Sequence, residues 1–408
     1  MGPSVDVVVV GAGLAGLACA HDLVAGGLRV RVLEASDGVG GRMRTHTVRG
    51  FRLDRGFQVF NTAYPQVRRR IDLQALRLHP LTPGFLLAGR HGRRRLVDPT
   101  RRPGEAADLL PGRLAPFRDT VALGLLSARD MVLPAALLRR GRDEPTHRAL
   151  AAAGLSPETV DAVLRPFLSG VFLDHRLETS GRVFHLVWRS MLRGTLCLPE
   201  AGIGAVPEQL AAGLPPGTVT LGSPVAEVTD GGVRLVTGTE VAAERVVVAT
   251  EAPEAARLLP GLAVPPARSV TTLYHAAPRS PLAEPTLLVD TDGPVLNTVV
   301  LSEAVPGYAG DGRALVSTSV LGADADEPQV RARLAELYET DTGGWEHLAD
   351  YRIPYALPAM PAPHPLTRPT RLGGGRYVCG DHRGTGSVQG ALASGTRAAR
   401  EVLADAGR

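Results

Sequence analysis

The sequence predicts an α/β fold, a Rossmann-like, doubly wound parallel sheet interleaved along the chain with an α+β domain. Three observations predict it. An apolar run near the start of the chain ends in Gly11-Ala12-Gly13-Leu14-Ala15-Gly16 and continues with helical spacing. A second glycine cluster with an arginine, Gly38-Val39-Gly40-Gly41-Arg42, follows the next apolar run. Near the other end, a strand-like segment closes on Gly380-Asp381 and passes through Gly384, Gly386 and Gly390 into a helix.

The N-terminal elements follow in order. Residues 6–10 are a buried strand, and Leu17, Ala20, Leu23 and Val24 mark a helix closed by Gly26-Gly27. A second strand, 28–33, ends at Glu34. In this arrangement Gly11 allows the tight turn, Gly13 lets the backbone approach a pyrophosphate, and Gly16 lets helix and strand pack closely. The helix start at Leu14 and Ala15 offers free N–H groups and a positive dipole end to phosphates. Glu34 lies about 20 residues past the first glycine, where a carboxylate accepts the hydroxyls of an adenosine ribose, with Ala35 beside it. An acid there favours NAD or FAD over NADP. The cluster at Gly40 and Gly41, with Arg42 to face the pyrophosphate, suits a dinucleotide with a larger reactive ring. At the C-terminal end Asp381 is placed to accept a ribityl hydroxyl. The helix start at Ser387 and Val388 aims its dipole at the pyrimidine end of a flavin.

Composition bounds the alternatives. At 408 residues, 44% hydrophobic and 21% charged, the chain reads as two or three globular domains, neither disordered nor collagen-like. No stretch approaches the roughly 18 apolar residues of a membrane span. Cys19, Cys197 and Cys379 lack metal-ligand or disulfide-framework spacing and read as packing residues. Met1 to Asp6 lead straight into a strand without a basic leader, so the cytoplasm is the expected location. All 45 basic residues are arginine. The short runs at Arg68–Arg70, Arg93–Arg95 and Arg101–Arg102 read as solvated faces, and without interleaved aromatics they do not favour nucleic acid.

These motifs carry a family likeness. Residues 7–16, 34–45, Leu53-Asp54-Arg55-Gly56-Phe57-Gln58-Val59, 246–250 and 380–395 resemble the flavin-containing amine oxidase, protoporphyrinogen oxidase and phytoene desaturase superfamily. The resemblance implies bound FAD, held by Gly11, Gly13, Leu14, Ala15, Gly16, Glu34 and Ala35 at the ADP half and by Gly41 and Arg42 at the pyrophosphate. It further implies Gly56, Phe57 and Gln58 beside the isoalloxazine, Val225 at the adenine, and Thr250 as a further cofactor contact. Gly380, Asp381, Ser387 and Val388 are implied at the ribityl chain and flavin. Cys379 does not match the covalent-flavin position, so non-covalent FAD is expected.

The expected organisation is a Rossmann-like FAD-binding domain of residues 1–80, 190–265 and 365–408. It interleaves with an α+β substrate-binding domain of 81–189 and 266–364. Within the latter, 159–167, 181–192 and 328–338 read as helices and 314–321 as a strand. His185, Trp188 and Arg189 share one helix face, as a pocket wall or a half-buried surface. Residues 120–140 read as an apolar segment broken at Arg129-Asp130 and Pro134, which caps a tunnel, rests on a membrane surface, or is buried as a core helix. Prolines from Pro354 to Pro365 mark the crossing back to the FAD domain.

A flavin takes a hydride from a C–H bond. Members of this superfamily that oxidise amines generally place a lysine near N5 and an aromatic after the C-terminal Gly-Glu. This chain has no lysine, and Gly380-Asp381-His382-Arg383-Gly384 has no aromatic. The expected function is therefore an FAD-dependent dehydrogenase or desaturase acting on a largely apolar small molecule, with oxygen or another acceptor taking the electrons. The alternatives are an amine or amino-acid oxidase releasing hydrogen peroxide, a non-redox lipid carrier, or a flavin isomerase. No catalytic acid or base, no metal and no oligomeric state is read from the sequence.

Overall fold

The computed structural model describes residues 5–90, 92–105 and 115–408. Val7 to Val10 are inaccessible on both faces of their strand, as expected at the centre of a parallel sheet. The strand Val5–Val10 pairs in parallel with Val30–Leu33 on one side and Glu240–Val248 on the other. Val219–Thr220 and Arg376–Val378 extend the parallel part outward. The first half of Glu240–Val248 instead pairs antiparallel with Gly232–Leu235, which pairs with Val225–Thr229. Helices Leu14–Ala25 and Val388–Asp405 pack together against one face, in a core that includes Leu17, Leu23, Leu392 and Val402.

A seven-stranded sheet stands apart from the first, in the order Glu346–Pro358, Ala267–Ala277, Ala314–Leu321, Val295–Val300, Leu287–Asp290, Gly84–Gly89 and Gly92–Val97. Side chains of successive strand residues point to opposite faces. Phe85 and Leu87 therefore pack under Phe167, Leu126 and Trp188, while Leu86 and Ala88 face Leu334 and Tyr338. The first group lies on helices Phe117–Val132, Arg165–Phe172 and Gly181–Arg193, the second on Glu327–Tyr338. The Tyr274 hydroxyl donates to the Asp54 carbonyl at 2.8 Å, fastening this sheet to the hairpin Thr45–Val48 and Phe51–Asp54.

Three local expectations are corrected. The prolines from 354 onward do not all mark a crossing, because Glu346–Pro358 is one strand through Pro354 and Pro358. It lies at the sheet's edge, where a missing N–H donor is tolerated. Arg93–Arg95 is not a free charged face but half of a hairpin, with the Arg93 Nη2 donating to the Leu337 carbonyl at 2.5 Å. The helix Phe117–Val132 runs through Arg129-Asp130 unbroken and stops before Pro134, since the Asp130 carboxylate is buried against His185 Nδ1 at 2.7 Å.

Candidate functional site

A cavity of about 1430 Å³ opens at the carboxyl ends of the parallel strands and continues along the second sheet. Ligand pockets run to roughly 300–1,000 Å³, so this one has room for a dinucleotide and a second molecule. The structure brings seventeen of the eighteen expected site residues to its wall. These are Gly11, Gly13, Leu14, Ala15, Glu34, Ala35, Gly41, Arg42, Gly56, Phe57, Gln58, Val225, Thr250, Gly380, Asp381, Ser387 and Val388. Gly16 is the exception. A Cβ there would lie 2.0 Å from the Gly11 carbonyl oxygen, so Gly16 lets the helix seat on the strand and is a packing position, off the wall.

The glycine turn is shaped around open space. Gly11 has φ +104°, and a Cβ on Gly13 would meet nothing within 4 Å. That opening lies in front of the first N–H groups of Leu14–Ala25, and the N-terminus of Val388–Asp405 reaches the same cavity. Two helix dipoles thus present their positive ends to one volume. The residues present fit a pyrophosphate-linked cofactor.

Glu34 is already well engaged. Its carboxylate accepts the Ala12 N–H at 2.7 Å, the Ser36 N–H at 3.0 Å and the Ser36 hydroxyl at 2.8 Å. A carboxylate has about four acceptor positions. The Ser36 hydroxyl also lies 2.8 Å from the Gly38 carbonyl. Its one proton serves either oxygen, so turning to Gly38 frees a second position on Glu34. Arg42 donates to the Ala356 carbonyl at 2.6 Å and to Asp381 Oδ2 at 2.7 Å, which commits two of the five N–H donors of a guanidinium. Gln58 Nε2 holds the loop by donating to the Arg42 carbonyl at 2.8 Å, and the Phe57 N–H donates to Thr272 Oγ1 at 3.3 Å. The Val225 carbonyl accepts from Arg257 at 2.9 Å.

Beyond that loop the wall comes largely from the segments read as helices at 159–167 and 181–192 and from the apolar segment at 120–140. Leu123, Phe167, Phe172, Val187, Trp188 and Leu296 line it. Helix Phe117–Val132 closes the cavity through Thr120, Leu123, Gly124 and Ser127. Of the three residues expected on one face, Trp188 lines the wall and donates from Nε1 to Ser127 at 3.1 Å. His185 instead binds Asp130, and Arg189 donates to the Asp130 and Met131 carbonyls at the end of the facing helix, where a cation suits the dipole. Small polar residues on the second sheet, Thr272, Asn297 and Ser319, also reach the wall. The strand alternation at 314–321 was the available signal for these, but the strands beside it were not legible. Among the described residues no cluster suits a metal ion and no helix is long and apolar enough to cross a membrane.

Fold and site together define a protein built to hold a pyrophosphate-linked cofactor. The family model described as flavin containing amine oxidoreductase matches residues 14–403, and the chain belongs to that family, whose members carry a flavin. Curated relatives include coproporphyrinogen III oxidase of Propionibacterium freudenreichii subsp. freudenreichii, 29% identical over 179 residues, or 41% of this chain and 31% of that protein. Putrescine oxidase of Kocuria rosea is 60% identical over 67 residues, 16% of this chain and 14% of that protein. The matches thus span a third or less of these relatives. Similar solved structures include a protein provisionally named a protoporphyrinogen oxidase, from an Exiguobacterium species (TM-score 0.72, 18% identity, 99% of each chain). Another is cyclohexylamine oxidase from Brevibacterium oxydans (TM-score 0.71, 18% identity, 100% of each chain). At that identity the likeness is one of fold.

Proposed function

We propose that this protein is a dehydrogenase or desaturase that binds FAD non-covalently and removes a hydride from a C–H bond of a largely apolar small molecule. One observation carries the reading. Past the Gly56–Gln58 loop most of the cavity wall is apolar, the chain has no lysine to organise water there, and one carboxylate of that part, Asp98, is engaged by Arg101 and Thr100. The bound flavin supplies hydride acceptance, and oxygen or another acceptor then takes the electrons. The chain's part is to position the substrate and exclude water. An apolar ring or chain gains about 25 cal/mol for each Å² buried on such a wall.

In this reading the eighteen sequence-derived residues, less Gly16, hold FAD. Residues 1–80, 190–265 and 365–408 form the FAD domain, and 81–189 with 266–364 the substrate domain. The division of strands between the two sheets supports that partition. The three cysteines are buried and free, which suits a reducing compartment, so the cytoplasm is the proposed location. Helix Phe117–Val132 is the proposed site of peripheral membrane contact.

Anaerobic rapid mixing tests the reaction. Cyclic or polyene hydrocarbons are expected to bleach the flavin band at about 450 nm, and benzylamine, putrescine and amino acids are not. Fast bleaching by any of these amines overturns the reading in favour of amine oxidation, the second reading. The local match to putrescine oxidase is the observation that favours that alternative.

A further inference from the structure

We propose that Asn297, Ser319 and Thr272 form a subsite for a neutral oxygen function, a carbonyl or a hydroxyl, on an otherwise apolar substrate. The inference rests on the reading of the second sheet as the substrate side and names what that side recognises.

The three side chains come from neighbouring strands. Thr272 pairs with Ser319, and Ser319 pairs with Asn297. Residues opposite one another on antiparallel strands share a face, and all three line the cavity. Two strand spacings of about 4.8 Å put the Asn297 end about 10 Å from Thr272. Thr272 sits at the flavin-side loop, since its Oγ1 accepts the Phe57 N–H. Ser319 Oγ lies 3.5 Å from it.

Asn297 is the telling member. It is 8% exposed, lines the cavity, and its amide makes no hydrogen bond among the described residues. The amide is not enclosed but opens on the cavity, where a ligand oxygen can take one of its N–H donors. Space is kept for the amide, because a Cβ on Gly170 would lie 2.8 Å from Asn297 Nδ2. Leu173, Val270 and Leu296 line the same cavity and form one apolar cluster. No charged side chain bonds to any of the three residues. A carbonyl or hydroxyl there finds amide and hydroxyl donors at no charge-desolvation cost.

The test is calorimetric binding to the purified holoenzyme of three probes of one shape: 4-phenylcyclohexanone, protonated 4-phenylcyclohexylamine and 4-phenylcyclohexanecarboxylate. The ketone is expected to bind at least tenfold tighter than either ion. Asn297→Leu is expected to weaken the ketone about tenfold and leave the ions unchanged. Ser319→Ala, which keeps the fold should the first variant lose it, is expected to weaken the ketone several-fold. Equal ketone binding by both variants and the unaltered protein overturns the subsite. So does tighter binding of either ion, or no ketone binding at all. Binding is read with the flavin oxidised and without turnover, so failure of the proposed reaction and failure of the subsite are separate results.

Discussion

Arg42 and Asp381 stand 339 positions apart in the chain and meet in the cavity wall, Nη2 to Oδ2 at 2.7 Å. Both were expected to touch the cofactor separately, Arg42 at the pyrophosphate and Asp381 at the ribityl chain. The pair joins the N-terminal glycine cluster to the C-terminal one, and the Arg42 bond to the Ala356 carbonyl adds the edge strand of the second sheet. Asp381 is buried and Arg42 about a quarter exposed. Removing one partner leaves the other charge poorly solvated.

Asp381→Asn is therefore expected to lower stability by about 1.5–3 kcal/mol, the scale of a hydrogen bond between charged groups, and to weaken flavin retention. Urea unfolding and flavin release measure the two effects. Arg42→Met combined with Asp381→Leu should cost less than the sum of the single changes. Strict additivity would show that the pair does not couple.

Gly13 and Gly16 are both glycines of one motif, yet their substitutions should fail differently. A valine at 13 directs its Cβ into open cavity, while one at 16 meets the Gly11 carbonyl. Gly13→Val is expected to give a folded, colourless protein, and Gly16→Val a poorly folded one. Circular dichroism with the flavin absorbance decides it. A yellow Gly13→Val protein contradicts the pyrophosphate assignment.

This contrast marks what the sequence made legible. The glycine motifs, Glu34 and Gly380-Asp381 were readable because backbone approach to a phosphate demands particular residues at fixed spacing. The substrate side was not readable, because an apolar wall accepts many side chains in many orders. Asn297 looks like any polar residue in a strand until pairing sets it beside Ser319. Arg93 looked solvated because a charged edge strand and a charged loop share one composition. Helix Phe117–Val132 looked broken because the burial of Asp130 depends on His185, fifty-five residues on.

That same helix carries a prediction of its own. One face lines the cavity, and the other leaves Phe117, Leu125 and Val132 about two-thirds or more exposed. Arg118 is on the same helix, and Arg139 and Arg140 follow it. Apolar side chains beside arginines favour anionic lipid surfaces. Flotation with phosphatidylserine vesicles should recover the protein at low salt, and Leu125→Glu should reduce recovery several-fold without changing flavin content. Equal recovery of both proteins rules the helix out as the contact.

The last prediction turns on two buried groups of opposite sign. His382 is almost inaccessible, neither ring nitrogen has a partner among the described residues, and burial pushes its pKa down to about 4. The unfolded chain takes up the proton near pH 6.5 and the folded one does not. The stability it contributes is present above that pH and is lost as pH falls toward about 4, some 3 kcal/mol in all by linkage. Asp54 works the other way. Burial lifts its carboxyl to about 6, against the bonds from Thr45 and the Ile203 N–H that favour the anion. Its contribution is complete below about pH 4 and is lost as pH rises through 6. The two slopes oppose each other over the same interval. His382→Leu removes two unsatisfied nitrogens and one of the slopes, so on going from pH 7 to 4.5 it should lose less stability than the unaltered protein. Asp54→Asn removes the other slope and should lose more. Urea midpoints of the three proteins at both pH values test the pair, and parallel shifts in all three would mean that neither group changes its protonation on folding.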